Sequence, residues 1–254
     1  MTRGAVMRIA HHGGGSLAPA NSLRGIELSL TYGVEMIEVD VRRTRDGQLV
    51  LSHEAVPRGQ QRAVADCTLH ELQAAVPEFT TLDEAFDATR GRSMLNLDIK
   101  EGGVAQAVVD AVRTHGAVER CIVSCLDTGC LADVGRMEGR LPRFYSYPPD
   151  YGGASQRAWM KPAVTAAVAW MRLTMPRRLG RVLRALPGTS ATIYAPLVTP
   201  QLVARARTLG AQLYTWTVDD LPEMQRLASL GVDGITSNRP DLLVALAGGV
   251  PARI

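Results

Sequence analysis

The feature of this sequence that most restricts its fold is a regular alternation of short apolar runs with longer segments of helical pattern. The alternation extends from Arg8 to Thr236, almost the whole chain. This order predicts parallel strands joined by crossover helices. The predicted strands are Arg8–His11, Met36–Val41, Met94–Ile99, Cys121–Cys125, Arg143–Tyr147, Thr192–Ala195, Gln212–Val218 and Val232–Thr236.

One further predicted strand, Gln48–Ser52, does not follow this order, because Arg42–Gly47 is too short to hold a crossover helix. The Arg-Asp-Gly sequence at 45–47 predicts a turn that folds the chain back. Eight βα units then remain. Eight units in 254 residues predict a (β/α)₈ TIM barrel, as a single domain over residues 1–254. A doubly wound open sheet is the alternative, but no Gly-x-Gly-x-x-Gly turn follows the first strand.

The composition is that of a globular protein, with 46% hydrophobic and 21% charged residues. A net charge of +3 neither favours nor excludes nucleic acid as a partner. The four cysteines are predicted to be reduced, structural thiols. The amino-terminal residues contain no apolar stretch of signal-peptide length, and no run is long enough to span a bilayer. We expect a cytoplasmic protein and leave association with a membrane surface open.

Acidic residues fall at the carboxyl ends of predicted barrel strands, where the chemistry of TIM barrels takes place. Glu38 and Asp40 are two positions apart on one strand and share a face, and Asp98 is on the adjoining barrel strand. Inward-pointing carboxylates repel one another unless a cation holds them. Three oxygen ligands favour Mg²⁺ or Ca²⁺ over zinc. The alternative is ordinary ion pairing of these acids with Lys100, Arg42 or Arg43.

Two histidines, His11 and His53, come from different elements at the same predicted rim. Two imidazoles on either side of a metal-bound phosphate are suited to act as general base and general acid near neutral pH. Lys100 adds a positive group that can contact the phosphate. Together, these residues predict a metal-dependent phosphodiesterase.

The runs AHHGGGSLAPANS and IEVDVRRTRDGQLVLSHE closely resemble the glycerophosphodiester phosphodiesterase family. The resemblance continues through Asp98-Ile99-Lys100, Trp216-Thr217-Val218 and Gly231 to Ile235, and covers Ile9 to Leu243. It implies a TIM barrel that hydrolyses glycerophosphodiesters to an alcohol and sn-glycerol 3-phosphate. It also implies that His11 and His53 are the acid–base pair, and that Glu38, Asp40 and Asp98 bind Mg²⁺ or Ca²⁺.

Three positions depart from the family's pattern. The arginine that follows the first histidine is His12 here, which weakens a phosphate contact and makes it pH-dependent. The glutamate before the asparagine is Ala20, and the third ligand glutamate is the shorter Asp98. Three functions therefore stay open: the hydrolase, a lysophospholipase D-like lipid phosphodiesterase that forms a cyclic phosphate, and a weakened barrel that only binds phosphodiesters.

The stretch from Tyr151 to Val218 contains no Asp or Glu, and its arginines alternate with Trp, Met and Leu. We interpret it as an enlarged, basic excursion after the fifth strand. Residues 157–184 are then predicted to make peripheral contact with a membrane, bringing the barrel mouth to its surface and favouring lysolipid substrates. The alternative is a pair of barrel helices whose apolar side chains pack on the sheet. Nucleic acid is not expected. Trp216, and less strongly Tyr145 and Tyr147, are candidate substrate contacts.

Overall fold

The computed structural model describes residues 5–148 and 161–246 of the chain. Arg157, Trp159 and Met160 of the basic segment lie outside these described residues. The strands are β1 (Met7–Ala10), β2 (Met36–Arg43), β3 (Leu49–Leu51), β4 (Met94–Ile99), β5 (Cys121–Cys125), β6 (Arg143–Tyr147), β7 (Thr189–Tyr194), β8 (Leu213–Trp216) and β9 (Gly234–Ser237). The α-helices are α1 (Leu23–Thr31), α2 (Leu69–Ala75), α3 (Leu82–Thr89), α4 (Ala105–Thr114), α5 (Thr128–Met137), α6 (Lys161–Ala185), α7 (Pro200–Thr208), α8 (Leu221–Leu230) and α9 (Pro240–Leu243).

Eight parallel strands close into a barrel with helices around it, as the sequence predicted. β1 pairs with β2 on one side and with β9 on the other, which joins the two ends of the sheet. The ninth strand, β3, pairs antiparallel with β2 through Val41 and Leu51. It is the predicted back-folded strand, and it lies beside the carboxyl-terminal residues of β2.

An outer core of apolar residues lies between the strands and the helices. β4 and β5, for example, are buried along nearly their whole length, since helices cover the outer face of the barrel. Several helix starts are fixed by side-chain caps. Thr68 and Thr81 form capping boxes at α2 and α3 with Glu71 and Glu84, and such caps satisfy otherwise unpaired amide groups. The four cysteines are buried and free.

The barrel interior changes from apolar to polar along each strand. Ile122 and Phe144 belong to an apolar cluster inside the barrel, and two positions further on the same faces carry Ser124 and Ser146. The same change occurs on β2, from Met36 to Glu38. Because residues two apart on a strand lie on the same face, the polar side chains lie at the carboxyl end of the barrel interior. The apolar cluster lies towards the amino ends of the strands.

Helix α6 follows the fifth barrel strand and is 25 residues long. Met175, Leu179 and Leu183 are buried against the barrel, whereas Trp170 and Leu173 are exposed. The described part of the segment is thus one continuous helix and not the pair of helices that the alternative supposed, and it packs apolar residues on the barrel along its inner side only. Among the described residues, no helix combines the length and the apolar composition needed to cross a bilayer.

Candidate functional site

The polar end of the barrel opens into a cavity of about 250 Å³. Most of the residues predicted from the sequence to form the site line this cavity, although they come from five separate elements. They are His11, His12, Glu38, His53, Asp98, Lys100 and Trp216, joined by Asn96, Ser124, Ser146, Thr192 and Thr236. The convergence at one rim, which the sequence predicted, is thus present.

The three carboxylates lie together, with Glu38 and Asp98 lining the cavity and Asp40 fully buried beside them. Asp40 and Asp98 are directly paired across β2 and β4, and Glu38 shares their face of β2. Oxygen atoms of the three side chains lie within 4.8 Å of one another. The residues are only 5%, 0% and 8% exposed for Glu38, Asp40 and Asp98. Burial, followed by the charge of Asp40, raises the pKa of Glu38 well above its ordinary value.

Lys100 supplies the one lysine charge in this cluster. Its Nζ lies 2.8 Å from Asp40 Oδ1 and also contacts Asp98. Burial alone would raise the pKa of Asp40, but Lys100 and then His12 hold that pKa below its ordinary value. The ion pairing considered as the alternative to a cation site is therefore present for Lys100. Arg42 instead pairs with Glu101, at 3.3 Å. The phosphate contact predicted for Lys100 stays a prediction.

His11 is held by a chain of hydrogen bonds that the sequence did not reveal. Its Nδ1 lies 2.9 Å from Asn238 Oδ1, and Asn238 Nδ2 donates to Asp219 at 2.8 Å. Because a carboxylate only accepts, Asn238 must direct its amide hydrogens to Asp219 and its oxygen to His11. The proton of neutral His11 is therefore on Nδ1, and the lone pair is on Nε2, 3.9 Å from Glu38. Burial lowers the pKa of His11, which favours this neutral form.

His12 lies between the two predicted catalytic histidines, so His11 and His53 do not face one another directly. Its ring stacks on His11 with centroids 3.5 Å apart and lies 5.1 Å from the ring of His53. Its Nε2 is 3.1 Å from Asp40 Oδ2, and its backbone N–H donates to Glu38 at 2.8 Å. The backbone of His12 is in the left-handed region, with φ of 50°, a conformation that for a non-glycine residue must be held by its surroundings. Burial lowers the pKa of His12 to about 3.

His53 is at the outer edge of the cavity, on the segment after β3. Its side chain is 49% exposed, and Nδ1 lies 2.9 Å from Glu54 Oε1. The partly buried His11, with a side chain 16% exposed, and the exposed His53 therefore have different environments. This difference provides a physical basis for giving them different roles.

Two further side chains fix the orientation of the carboxylates. Asn21 Nδ2 donates to Asp40 Oδ2 at 2.6 Å, and Ser124 Oγ donates to Asp98 Oδ1 at 2.7 Å. The motif AHHGGGSLAPANS contained Asn21, but neither residue was singled out from the sequence. Ala20, where the family has a glutamate, is exposed.

The aromatic candidates divide into two groups. Trp216 lines the cavity, and its Nε1 donates to the carbonyl of Thr192 at 3.3 Å. Tyr145 and Tyr147 instead contact α6, through Arg178 and Met171. The suggestion that these tyrosines line the pocket is wrong, because neighbouring Ser146 occupies the inward position on β6.

The donor set fits a divalent cation. Glu38, Asp40 and Asp98 offer only oxygen ligands, which hard cations such as Mg²⁺ and Ca²⁺ prefer. Their three carboxylates exceed the single charge of Lys100, so the cluster carries uncompensated negative charge. Two adjoining sets within the described residues include imidazole: His11, His12 and Glu38, and His12, Asp40 and His53. Imidazole-containing sets also suit transition metals.

Comparison with known proteins identifies relatives along nearly the whole chain. Residues 11–242 match the sequence model of the Glycerophosphoryl diester phosphodiesterase family. A glycerophosphodiester phosphodiesterase of Caldanaerobacter subterraneus is 28% identical, with 94% of this chain and 96% of the relative covered.

Solved structures share the fold. A glycerophosphodiester phosphodiesterase from Thermotoga maritima superposes with a TM-score of 0.76 at 22% identity, covering 96% of this chain and 100% of the other. A phosphodiesterase from Oleispira antarctica, solved with the product sn-glycerol-3-phosphate, has a TM-score of 0.76 at 20% identity, covering 95% and 96%.

Proposed function

Because this chain belongs to the glycerophosphoryl diester phosphodiesterase family and is an enzyme of that class, we propose that it hydrolyses glycerophosphodiesters to an alcohol and sn-glycerol 3-phosphate with His11 and His53 as acid–base pair. The observation that carries the proposal is that both histidines line one cavity with Glu38 and Asp98, and that Asp40 lies directly beside these two carboxylates. The relative from Oleispira antarctica was solved with this product bound.

Glu38, Asp40 and Asp98 would hold the cation, Mg²⁺ or Ca²⁺. When bound, a divalent ion supplies positive charge that stabilises the negative charge developing on the phosphoryl oxygens. A cation held by Asp40 and Asp98 would compete with the ammonium of Lys100. Lys100 would then be available to pair with the phosphate, and the phosphate contact of His12 stays a prediction.

His11 is assigned as the general base. Asn238 accepts from Nδ1, so the Nε2 lone pair can take a proton from the attacking water. The water oxygen bonds to phosphorus, and the bond from phosphorus to the alcohol oxygen breaks. His53 donates the proton that the departing alkoxide needs. Glu54, 2.9 Å from His53 Nδ1, is suited to stabilise the proton-carrying ring.

Trp216 is assigned to substrate positioning. Its ring borders the cavity and contacts Tyr194, with ring centroids 5.7 Å apart. A flat, half-buried ring offers apolar surface to the carbon chain of glycerol. This role is separate from catalysis and predicts a larger effect of Trp216→Ala on KM than on kcat.

The test is a metal-supplemented assay against glycerophosphocholine, glycerophosphoethanolamine, glycerophosphoglycerol and lysophospholipids, with products identified by phosphorus NMR. We expect EDTA-sensitive release of glycerol 3-phosphate. His11→Ala and His53→Ala should each lower the rate by about 10²–10⁴-fold. His70→Ala is the matched control, because His70 is exposed on α2.

Three results would separate the alternatives. A cyclic phosphate as first product identifies intramolecular attack by a substrate hydroxyl instead of water. Preference for lysophospholipids assigns the lipid substrate class. If glycerol 3-phosphate binds but no substrate is turned over with either metal, the barrel is a binding protein and the hydrolase assignment is wrong.

A further inference from the structure

The outer face of α6 carries the two most exposed large apolar side chains among the described residues. Trp170 is 65% exposed and Leu173 is 80% exposed. A single exposed apolar residue needs no explanation, but an exposed tryptophan and leucine within one helical turn form a patch. These two residues are far more exposed than Leu126, at 42%, beside the catalytic cavity.

Three arginines continue the same face of the helix. Arg177, Arg181 and Arg184 follow Trp170 at positions i+7, i+11 and i+14, a spacing that keeps all of them on one side at 3.6 residues per turn. We call the surface formed by Trp170, Leu173 and these three arginines the α6 stripe. The carboxyl-terminal half of the stripe borders a shallow depression that includes Arg205 of α7. Arg205 lies close over Gly180, where an added Cβ would come within 2.5 Å of its guanidinium.

The charge of this stripe is not neutralised by its surroundings. Neither α6 nor α7 contains an acidic residue. Within residues 5–148 and 161–246, no carboxylate pairs with Arg177, Arg181, Arg184 or Arg205. Three exposed arginines outside this stripe, by contrast, are paired with acids. Arg90, Arg136 and Arg226 each pair with an acid three residues earlier.

The stripe has a fixed orientation because the opposite side of α6 is anchored to the barrel. Met175, Leu179 and Leu183 are buried. Arg178 donates to the hydroxyl of Tyr145 at 3.0 Å and lies over the ring of Tyr147. The helix therefore cannot rotate to bury Trp170 and Leu173 without losing these contacts.

We propose that the α6 stripe binds the surface of a bilayer that contains anionic phospholipids. The arginines match the negative headgroups, and Trp170 and Leu173 reach the boundary between headgroups and acyl chains. The contact lies along the flank of the barrel, which differs from the expectation that this segment places the barrel mouth against the membrane. A nucleic acid would use the arginines equally well, but it gives no reason for an exposed leucine in line with them.

The test is co-sedimentation of the full chain with vesicles of phosphatidylcholine, with and without phosphatidylglycerol. We expect binding only to the anionic vesicles, weakened by salt. Replacing Arg177, Arg181 and Arg184 together by Gln should weaken binding by about 100-fold, at about fivefold for each arginine. Trp170→Ala combined with Leu173→Ser should weaken binding by about tenfold or more.

The matched control replaces Arg90, Arg136 and Arg226 by Gln, which removes the same total charge from exposed sites outside the stripe. Thermal unfolding verifies that each variant is folded. Absence of binding to anionic vesicles overturns the proposal. It is also overturned if the control variant loses as much vesicle binding as the variant that lacks the stripe arginines. Binding to single-stranded nucleic acid in place of vesicles, with the same dependence on the stripe arginines, also overturns it. None of these results depends on hydrolysis, so the catalytic proposal is tested separately.

Discussion

Replacement of Lys100 by Met tests whether the carboxylate cluster is a cation site. The ammonium lies 2.8 Å from Asp40 Oδ1 and contacts Asp98, and both acids are almost completely buried. Removing it leaves buried carboxylates without a counter-charge, which typically costs about 3–5 kcal/mol of unfolding free energy. For a protein of this size, each kcal/mol shifts Tm by about 2–4 °C. In metal-free buffer we therefore expect Lys100→Met to lower Tm by about 10 °C.

A divalent cation should reverse much of this loss. A ligand at a hundred times its Kd stabilises the folded state by about 2.7 kcal/mol. Because the variant has no ammonium competing for Asp40 and Asp98, Mg²⁺ or Ca²⁺ should raise its Tm more than that of the unaltered protein. Differential scanning calorimetry with EDTA and with each metal measures both effects.

The chain offers a matched control, since Lys161 is its other lysine and is exposed at the start of α6. Lys161→Met should leave Tm and its response to metal unchanged. An unchanged Tm for Lys100→Met without metal would refute the claim that this lysine balances buried charge. Equal stabilisation of both proteins by metal would refute the claim that the cation and the ammonium compete for the same carboxylates.

Three further predictions follow from the site and its surroundings. Asn238→Leu removes the acceptor that holds the His11 proton on Nδ1. It should lower kcat/KM by about 10–100-fold, and nitrogen NMR should show mixed His11 tautomers; a single Nε2–H tautomer in the unaltered protein would contradict this. His12→Arg removes imidazole from two possible ligand sets and should weaken Zn²⁺ binding by about tenfold or more while Mg²⁺ binding is kept, measured by calorimetric titration; unchanged Zn²⁺ binding would exclude His12 as a ligand. A hydrogen bond from the Thr68 backbone lowers the pKa of Glu71 to about 2, so its stabilising contribution is present above pH 4.5 and is lost as pH falls towards 2. Glu71→Gln should flatten the denaturant stability profile in that window, and an unaltered profile would disprove the link.

The sequence predicted β4, β5 and β6 with their observed bounds. Each is a short segment rich in apolar residues, and polar or glycine-containing segments border it on both sides. β7 begins at Thr189, three residues before its predicted start. Thr189 and Ser190 directly follow Pro187-Gly188, and their polar side chains gave no apolar signal. Their strand conformation comes from pairing with β6 at Arg143 and Phe144, which is a tertiary effect.

The sequence identified charged groups that the structure brings together, but not the hydrogen-bond partners that come from near the end of the chain. Glu38 and Asp40 could be predicted from the sequence, because residues two apart on a strand lie on the same face. Asn238 and Asp219 have no such pattern, since a neutral amide and an acid in a loop are common anywhere. They become recognisable only when β9 pairs with β1 and brings Ser237 beside Ala10.

That pairing of the first and last strands has a consequence for how the enzyme is produced. His11 and its partner Asn238 are 227 positions apart, so under the proposed assignment a nascent polypeptide cannot bring this pair together until the residues of β9 and Asn238 have left the ribosome. Contacts of such long range form slowly and late in folding. A polypeptide truncated before β9 is therefore expected to show no hydrolysis, because His11 would lack the partner that fixes its proton.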